Sequence, residues 1–170
     1  MLTVRPATIA DRDALSRLGA ETYRSHFTAI WSPQRLNSYI EAEYGPAALA
    51  RSLEDAGSLW LIGEGGGAPI GFAKPNWDRP LPIDPRRSGA ELQKIYLLAG
   101  QTGRGHGAAM LGAVFDAARQ RGNRLIWLDV LQSNAGARAF YERQGFAVVG
   151  EIPFATDLRE IGMWVMAREF

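Results

Sequence analysis

The segment Gln101-Thr102-Gly103-Arg104-Gly105-His106-Gly107-Ala108 sets glycine at alternate positions directly ahead of an amphipathic stretch. Glycines let a backbone approach a ligand closely and take φ values that a Cβ disfavours. Successive N–H groups at a helix start, at the positive end of its dipole, suit a pyrophosphate. Gly103, Gly105 and Ala108 also satisfy the G-x-G-x-x-G/A dinucleotide fingerprint, with Asp129 roughly 20 residues further on. Context makes that the minor reading. A dinucleotide unit carries its glycines just after its first strand, whereas several elements precede this turn. Too little chain follows Asp129 for the remaining parallel strands and a substrate domain.

Other residue types limit the chemistry from outside the turn. The chain has no cysteine, which excludes a disulfide framework, a thiolate zinc site and a cysteine nucleophile. His26 and His106 lie far apart without ligand spacing, so no metal is expected. Asp129 interrupts an apolar run and needs a partner or a function there. Tyr23, His26, Phe27, Trp31, Tyr39, Trp60, Trp77 and Asp78 could wall a site for a cation, although aromatics more often pack a core.

These residues need elements to hold them. Leu2 to Pro6 reads as a strand, and Asp11 or Asp13 as the start of a helix reaching about Phe27. Ser32-Pro33 is an N-cap followed by proline at the first helical position, opening a helix to about Tyr44; Gly45-Pro46 opens another to about Ala56. Ser58 to Ile62 and Pro69 to about Trp77 form a hairpin around Glu64-Gly65-Gly66-Gly67. The proline-rich stretch Asp78 to Ser88 reads as an exposed loop. Glu91 to Leu98 is a strand, His106 to Arg121 a helix with Met110, Leu111, Val114, Phe115 and Ala118 on one face, and Arg124 to Leu131 an apolar strand. Asn134 to Gln144 is a helix, and strands follow from Gly145-Phe146 and over Gly162 to Arg168.

At 170 residues with 46% hydrophobic residues, the chain suffices for one domain spanning 1–170 with its own core. A formal net charge of +1 gives no electrostatic case for nucleic acid or an anionic membrane. The opening Met1–Arg5 lacks the design of a secretion signal, and no apolar run is long enough for a membrane span. A cytoplasmic location is the expectation.

Two motifs carry a resemblance to a known family. Thr102-Gly103-Arg104-Gly105-His106-Gly107, with Ile95-Tyr96-Leu97 leading in, resembles the Q/R-x-x-G-x-G/A loop of the GNAT acetyltransferases. Asn134, Ala137 and Tyr141 followed by Gly145-Phe146 resemble that family's N-x-x-A-x-x-x-Y…G-F helix and strand. Thr102 departs from the pattern, standing where glutamine or arginine is usual. Looser similarity over most of the chain points to the bacterial spermidine/spermine (polyamine) branch.

The resemblance implies an α/β GNAT fold: a mixed, mostly antiparallel sheet of six to seven strands flanked by four to five helices. It implies acetyl-CoA as co-substrate, with Tyr96, Leu97, Thr102, Gly103, Arg104, Gly105, His106, Gly107, Ala108, Asn134 and Tyr141 binding it. It also implies Tyr141 as the acid that protonates the departing thiolate. The acceptor is a small-molecule amine, with Tyr23, Phe27, Trp31 and Asp129 as substrate-binding candidates. An amine with pKa near 10.4 is free in roughly one part in 10³ at neutral pH, so a base or a low-dielectric channel must remove its proton. Glu91 is the first candidate and Asp129 the second. A protein N-terminus or lysine as acceptor, or a non-catalytic acyl-CoA sensor, are the alternatives. A homodimer is possible by analogy with the fold.

Overall fold

A computed structural model describes the chain from Met1 to Phe170. Strand β1 (Leu2–Pro6) is followed by a 3-10 turn at Ile9–Asp11 and helix α1 (Arg12–Phe27). Asp11 organises that junction from two sides. Its carboxylate accepts from the Thr8 N–H at 2.8 Å and from both terminal nitrogens of Arg5 at 2.9 Å. The hydrogen-bonded guanidinium holds the Asp11 carboxyl down at about 2. Ser32 caps α2 (Pro33–Tyr44), and Gly45 precedes α3 (Pro46–Glu54). Both helices begin with proline, where a missing N–H would have had no intrahelical partner.

Strands β2 (Leu61–Gly65), β3 (Ala68–Leu81) and β4 (Asp84–Leu97) then form a meander. It is followed by α4 (His106–Gln120), β5 (Leu125–Leu131), α5 (Ala135–Arg143), β6 (Ala147–Ile152) and β7 (Met163–Glu169). All seven strands share one sheet in the order β1-β2-β3-β4-β5-β7-β6. Only β4 and β5 are parallel; every other neighbouring pair is antiparallel. Seven strands and five α-helices match the α/β architecture expected from the sequence. No helix is long and apolar enough to cross a membrane.

Two boundaries differ from the sequence reading. The first hairpin strand begins at Leu61, because Ser58 makes only an isolated bridge to Asn76, and its turn tightens onto Gly66-Gly67. More consequentially, Asp78–Ser88 is not an exposed loop. It is the far end of the β3–β4 hairpin, with Arg79 opposite Gly89 and Pro80 opposite Ser88. Irregularities between Asn76 and Arg79 and at Pro80/Leu81 absorb residues that a regular ladder would reject. Leu81 anchors this arm. It is fully buried in a cluster with Leu125, Trp127, Val165 and Ala167, while the Trp127 indole N–H donates to the Arg79 carbonyl at 3.1 Å. Gly89 permits the approach, since a Cβ there would lie 2.3 Å from the Leu125 carbonyl oxygen.

Two larger cores occupy opposite faces of the sheet. On one, Met110, Leu111, Val114 and Phe115 of α4 pack against Leu61, Leu92, Ile126 and Leu128. On the other, Leu15, Leu18, Leu36, Ile40 and Leu49 from α1–α3 cover Trp60, Ile62 and Phe72. Strand alternation puts Glu91 and Asp129 on the second face, between residues committed to the first.

The parallel pair is short. β4 and β5 match only at Ala90↔Ile126 and Glu91↔Trp127. Beyond those positions the strands part, and from Leu92 to Leu97 the β5-facing side of β4 has no strand partner. The sheet therefore opens toward the start of α4.

Candidate active site

The opening between β4 and β5 widens into a cavity of about 810 Å³. Its two ends are built from different kinds of residue. At one end lie Leu97, Thr102, Gly103, Gly105, Gly107 and Ala108, with Gly136, Ala137, Phe140 and Tyr141 of α5 opposite. Gly103 and Gly105 have φ of 74° and 80°, the left-handed region that glycine enters without steric cost. Gly105 is the N-cap of α4, and its carbonyl already accepts from the Ala109 N–H at 3.0 Å. The N–H groups of the first helical turn have no partner within the helix. Open space surrounds the Cα atoms of Gly103 and Gly105, where an added Cβ would meet nothing within 4 Å. These features form an anion cradle that opens onto the unpaired flank of β4.

The other end is aromatic and acidic. Tyr23 and Phe27 of α1, Trp31 of the α1–α2 connection, and Tyr39 of α2 line it together with Tyr96. Tyr23 stacks on Tyr39 with ring centroids 4.3 Å apart and planes 15° from parallel, and Phe27 meets Tyr96 edge-on at 5.9 Å. Behind this wall, Lys94 is 3% exposed and donates to Glu43 at 2.9 Å and to the Tyr39 hydroxyl at 3.4 Å. Burial, reinforced by the Glu43 charge, pushes the Tyr39 phenol up to about 12, so it stays protonated.

Glu91 and Asp129 face the space between the two ends. Asn76, buried opposite Glu91 on β3, donates through Nδ2 to Glu91 Oε2 at 2.9 Å and fixes that carboxylate. Asp129 is open to the cavity, yet the surrounding protein displaces bulk water. That desolvation, with Glu91's charge beside it, raises the Asp129 carboxyl above the ordinary carboxylate range. Tyr141 makes no hydrogen bond to the protein through its hydroxyl and packs against Phe140 and Phe146 at 5.2 and 5.7 Å. Burial, followed by the charge of Asp129, holds the Tyr141 phenol well above its usual value, so it remains a proton donor.

Most of the sequence-expected site residues thus line one cavity: Glu91, Tyr96, Leu97, Thr102, Gly103, Gly105, Gly107, Ala108, Asp129, Tyr141, Tyr23, Phe27 and Trp31. Three lie off its lining. Arg104 is exposed, and His106 turns inward with Nδ1 buried and unpartnered. Asn134 uses its side-chain oxygen to cap α5, accepting from the Ala137 N–H at 3.0 Å. Trp60 and Trp77 belong to the two cores, and Asp78 sits exposed at the β3 irregularity with φ of 54°.

The sequence reading passed over Phe154, Met163, Ile30 and Gln93, which also line the cavity. Phe154 comes from the β6–β7 connection and meets Trp31 edge-on at 6.2 Å. Asp157 of that connection accepts from the Ser32 N–H at 3.1 Å and from the Ser32 hydroxyl, tying the connection to the start of α2. No local pattern announces such a contact. The signal was Phe154 itself, an aromatic in a polar connecting segment.

A split β4–β5 pair with a glycine cradle at its mouth is the architecture of an acyl-CoA-dependent transferase fold. The family model described as Acetyltransferase (GNAT) family matches residues 20–146. The chain belongs to that family, and it is an acetyl-CoA-dependent N-acetyltransferase. An uncharacterised N-acetyltransferase of Mycobacterium bovis is 29% identical over 161 residues, covering 95% of this chain and 99% of that protein. A streptothricin acetyltransferase of Streptomyces lavendulae is 33% identical over 101 residues, covering 57% of this chain and 49% of the relative. Among solved structures, the PaiA N-acetyltransferase of Thermoplasma acidophilum in complex with coenzyme A superposes with a TM-score of 0.75 at 20% identity. That match covers 100% of this chain and 99% of the other. YncA of Salmonella typhimurium with its cofactor acetyl-CoA gives 0.70 at 23% identity, over 99% and 94%.

The cavity fits acetyl-CoA by its own features. The left-handed glycines and unpartnered N–H groups at the head of α4 suit a pyrophosphate, and the open flank of β4 suits an extended amide-bearing arm.

Proposed function

We propose that this chain acetylates a primary amine of a small cationic molecule, with aliphatic polyamines as the preferred class, by direct transfer within a ternary complex. The observation that carries this reading is that two neighbouring carboxylates, Glu91 and Asp129, line the same cavity as an aromatic wall. Carboxylates and π-faces attract an ammonium group, and both are strengthened where water is displaced.

Each residue has a task in that transfer. Asp129 and the Tyr23–Tyr39 stack hold the incoming ammonium. Glu91, fixed by Asn76, accepts the proton that the amine must lose. A main-chain N–H near Leu97 stabilises the oxygen of the acyl carbon while the C–N bond forms and the C–S bond breaks. Tyr141, kept as a phenol, donates its proton to the leaving sulfur, and the second proton that the nitrogen sheds as the amide forms restores the phenol. Without a cysteine in the chain, no acyl-thiol enzyme stage intervenes.

The test is thiol release from acetyl-CoA across a panel of diamines, spermidine, spermine, aminoglycosides, streptothricin and short peptides with free N-termini. Release with diamines and polyamines is the expected result. Streptothricin enters the panel through the Streptomyces lavendulae relative. Peptides enter through solved structures of similar fold described as ribosomal-protein-alanine N-acetyltransferases. Release with peptides alone would replace the small-amine reading. Acetyl-CoA binding without release on any acceptor would replace it with a sensor role.

A further inference from the structure

Phe154 borders two cavities. One is the chamber described above; the other is a groove of about 450 Å³ formed by Pro153, Phe154, Ala155, Glu160, Ile161 and Gly162. The Phe154 ring is set edge-on to Trp31 at 6.2 Å, and Phe154 is the one residue common to the linings of the chamber and the groove. The groove carries one carboxylate, Glu160.

We propose that Phe154 is the wall that sets acceptor length. In the unaltered protein it confines the acceptor to the chamber; without it, the chamber continues into the groove and a longer cationic chain reaches Glu160. This inference rests on the amine reading given above.

The backbone around Phe154 does not depend on its ring. The Phe154 carbonyl accepts from the N–H groups of Ile161 and Gly162 at 2.9 and 3.0 Å. Ala155 bridges Glu160, and the Thr156 N–H donates to the Arg159 carbonyl at 2.8 Å. Asp157 ties the tip of the segment to Ser32. Truncating the ring therefore removes the partition and leaves the segment that carries it. The ring is only half-buried, which limits the cost to stability.

The experiment compares kcat/KM for a three-carbon diamine and a linear tetraamine. It uses the unaltered protein, Phe154→Ala, Phe154→Leu, Glu160→Gln and the double variant of Phe154→Ala with Glu160→Gln. Phe154→Ala should raise the tetraamine-to-diamine ratio by about tenfold, the size of one added ion contact, with the KM for acetyl-CoA unchanged. Phe154→Leu should shift the ratio the same way by less. Glu160→Gln should leave the ratio within about twofold when Phe154 is present and remove most of the gain when it is absent.

An unchanged ratio in Phe154→Ala, with acetyl-CoA KM intact, overturns the wall. So does a loss of tetraamine activity in Glu160→Gln alone, because the groove would then already be joined to the chamber. Should Phe154→Ala fail to fold, the Phe154→Leu ratio decides the matter by the same criterion. Absence of turnover with any amine in the unaltered protein refutes the amine reading itself, an outcome distinct from turnover with an unmoved ratio.

Discussion

Asn76 and Glu91 sit opposite each other in the β3–β4 register, and the amide of one donates to the carboxylate of the other at 2.9 Å. The bond orients a carboxylate without neutralising it, because an amide N–H carries no charge to exchange. Glu91 thus loses its freedom to turn away. Replacing it by glutamine preserves shape and removes the proton acceptor. Glu91→Gln should lower kcat by about 10²-fold while the KM for acetyl-CoA stays within about twofold. Steady-state kinetics at several pH values checks this, and an unchanged kcat would assign the base elsewhere.

Tyr141 lines the same chamber with an uncommitted hydroxyl. Burial and the neighbouring Asp129 charge keep it protonated throughout the range in which an enzyme is assayed. Tyr141→Phe retains the ring that packs on Phe140 and Phe146 and deletes only the donor. Turnover should fall about tenfold or more, with acetyl-CoA affinity measured by calorimetry little changed. Near-normal turnover would remove Tyr141 from the reaction.

Asp129 trades stability for function. Its carboxyl is raised above the ordinary value by desolvation and by Glu91, so the folded chain keeps a proton that the unfolded chain has already released. Stability contributed by this group is present below the unfolded carboxylate pKa and is lost as pH rises through the raised folded value. Asp129→Asn should therefore raise Tm at pH 7 and leave it nearly unchanged at about pH 3. The same variant should weaken binding of a cationic acceptor. A Tm that falls equally at both pH values would mean that the carboxylate is a structural partner instead.

The local signals in this chain were legible and the distant ones were not. Ser32-Pro33 and the glycines at 103 and 105 act within a few residues of themselves, and each sits where its type requires. Asn134 was expected at the cofactor, whereas its side-chain oxygen is spent on a short-range bond that caps α5. The β3–β4 arm was misread because Pro80, Pro82 and Pro85 are local breakers, while what overrides them is the burial of Leu81 beneath β5 and β7. Phe154 escaped for the same reason. Its place in the site follows from Ser32 and Asp157, which are 125 positions apart in the chain. Trp60 and Trp77 follow the commoner behaviour of aromatics, each absorbed into the core on one face of the sheet.

Gly105 permits a prediction with an internal control. It holds φ of 80° at the head of α4, where alanine would be strained by about 1 kcal/mol. Gly100 has the same φ of 80°, and an added Cβ is equally uncrowded at both sites. They differ in place: Gly105 lines the cavity and Gly100 does not. Alanine at either position should lower Tm by a similar amount, about 2–4 °C. Only Gly105→Ala should also turn the first N–H groups of α4 off the pyrophosphate position. Losing one charge-assisted hydrogen bond of about 1.5 kcal/mol raises the KM for acetyl-CoA about tenfold, with kcat held within about twofold at saturation. Paired thermal unfolding and acetyl-CoA titrations separate the strain, which both variants share, from the cradle, which belongs to Gly105 alone. Equal KM values in the two variants would place the pyrophosphate away from this turn.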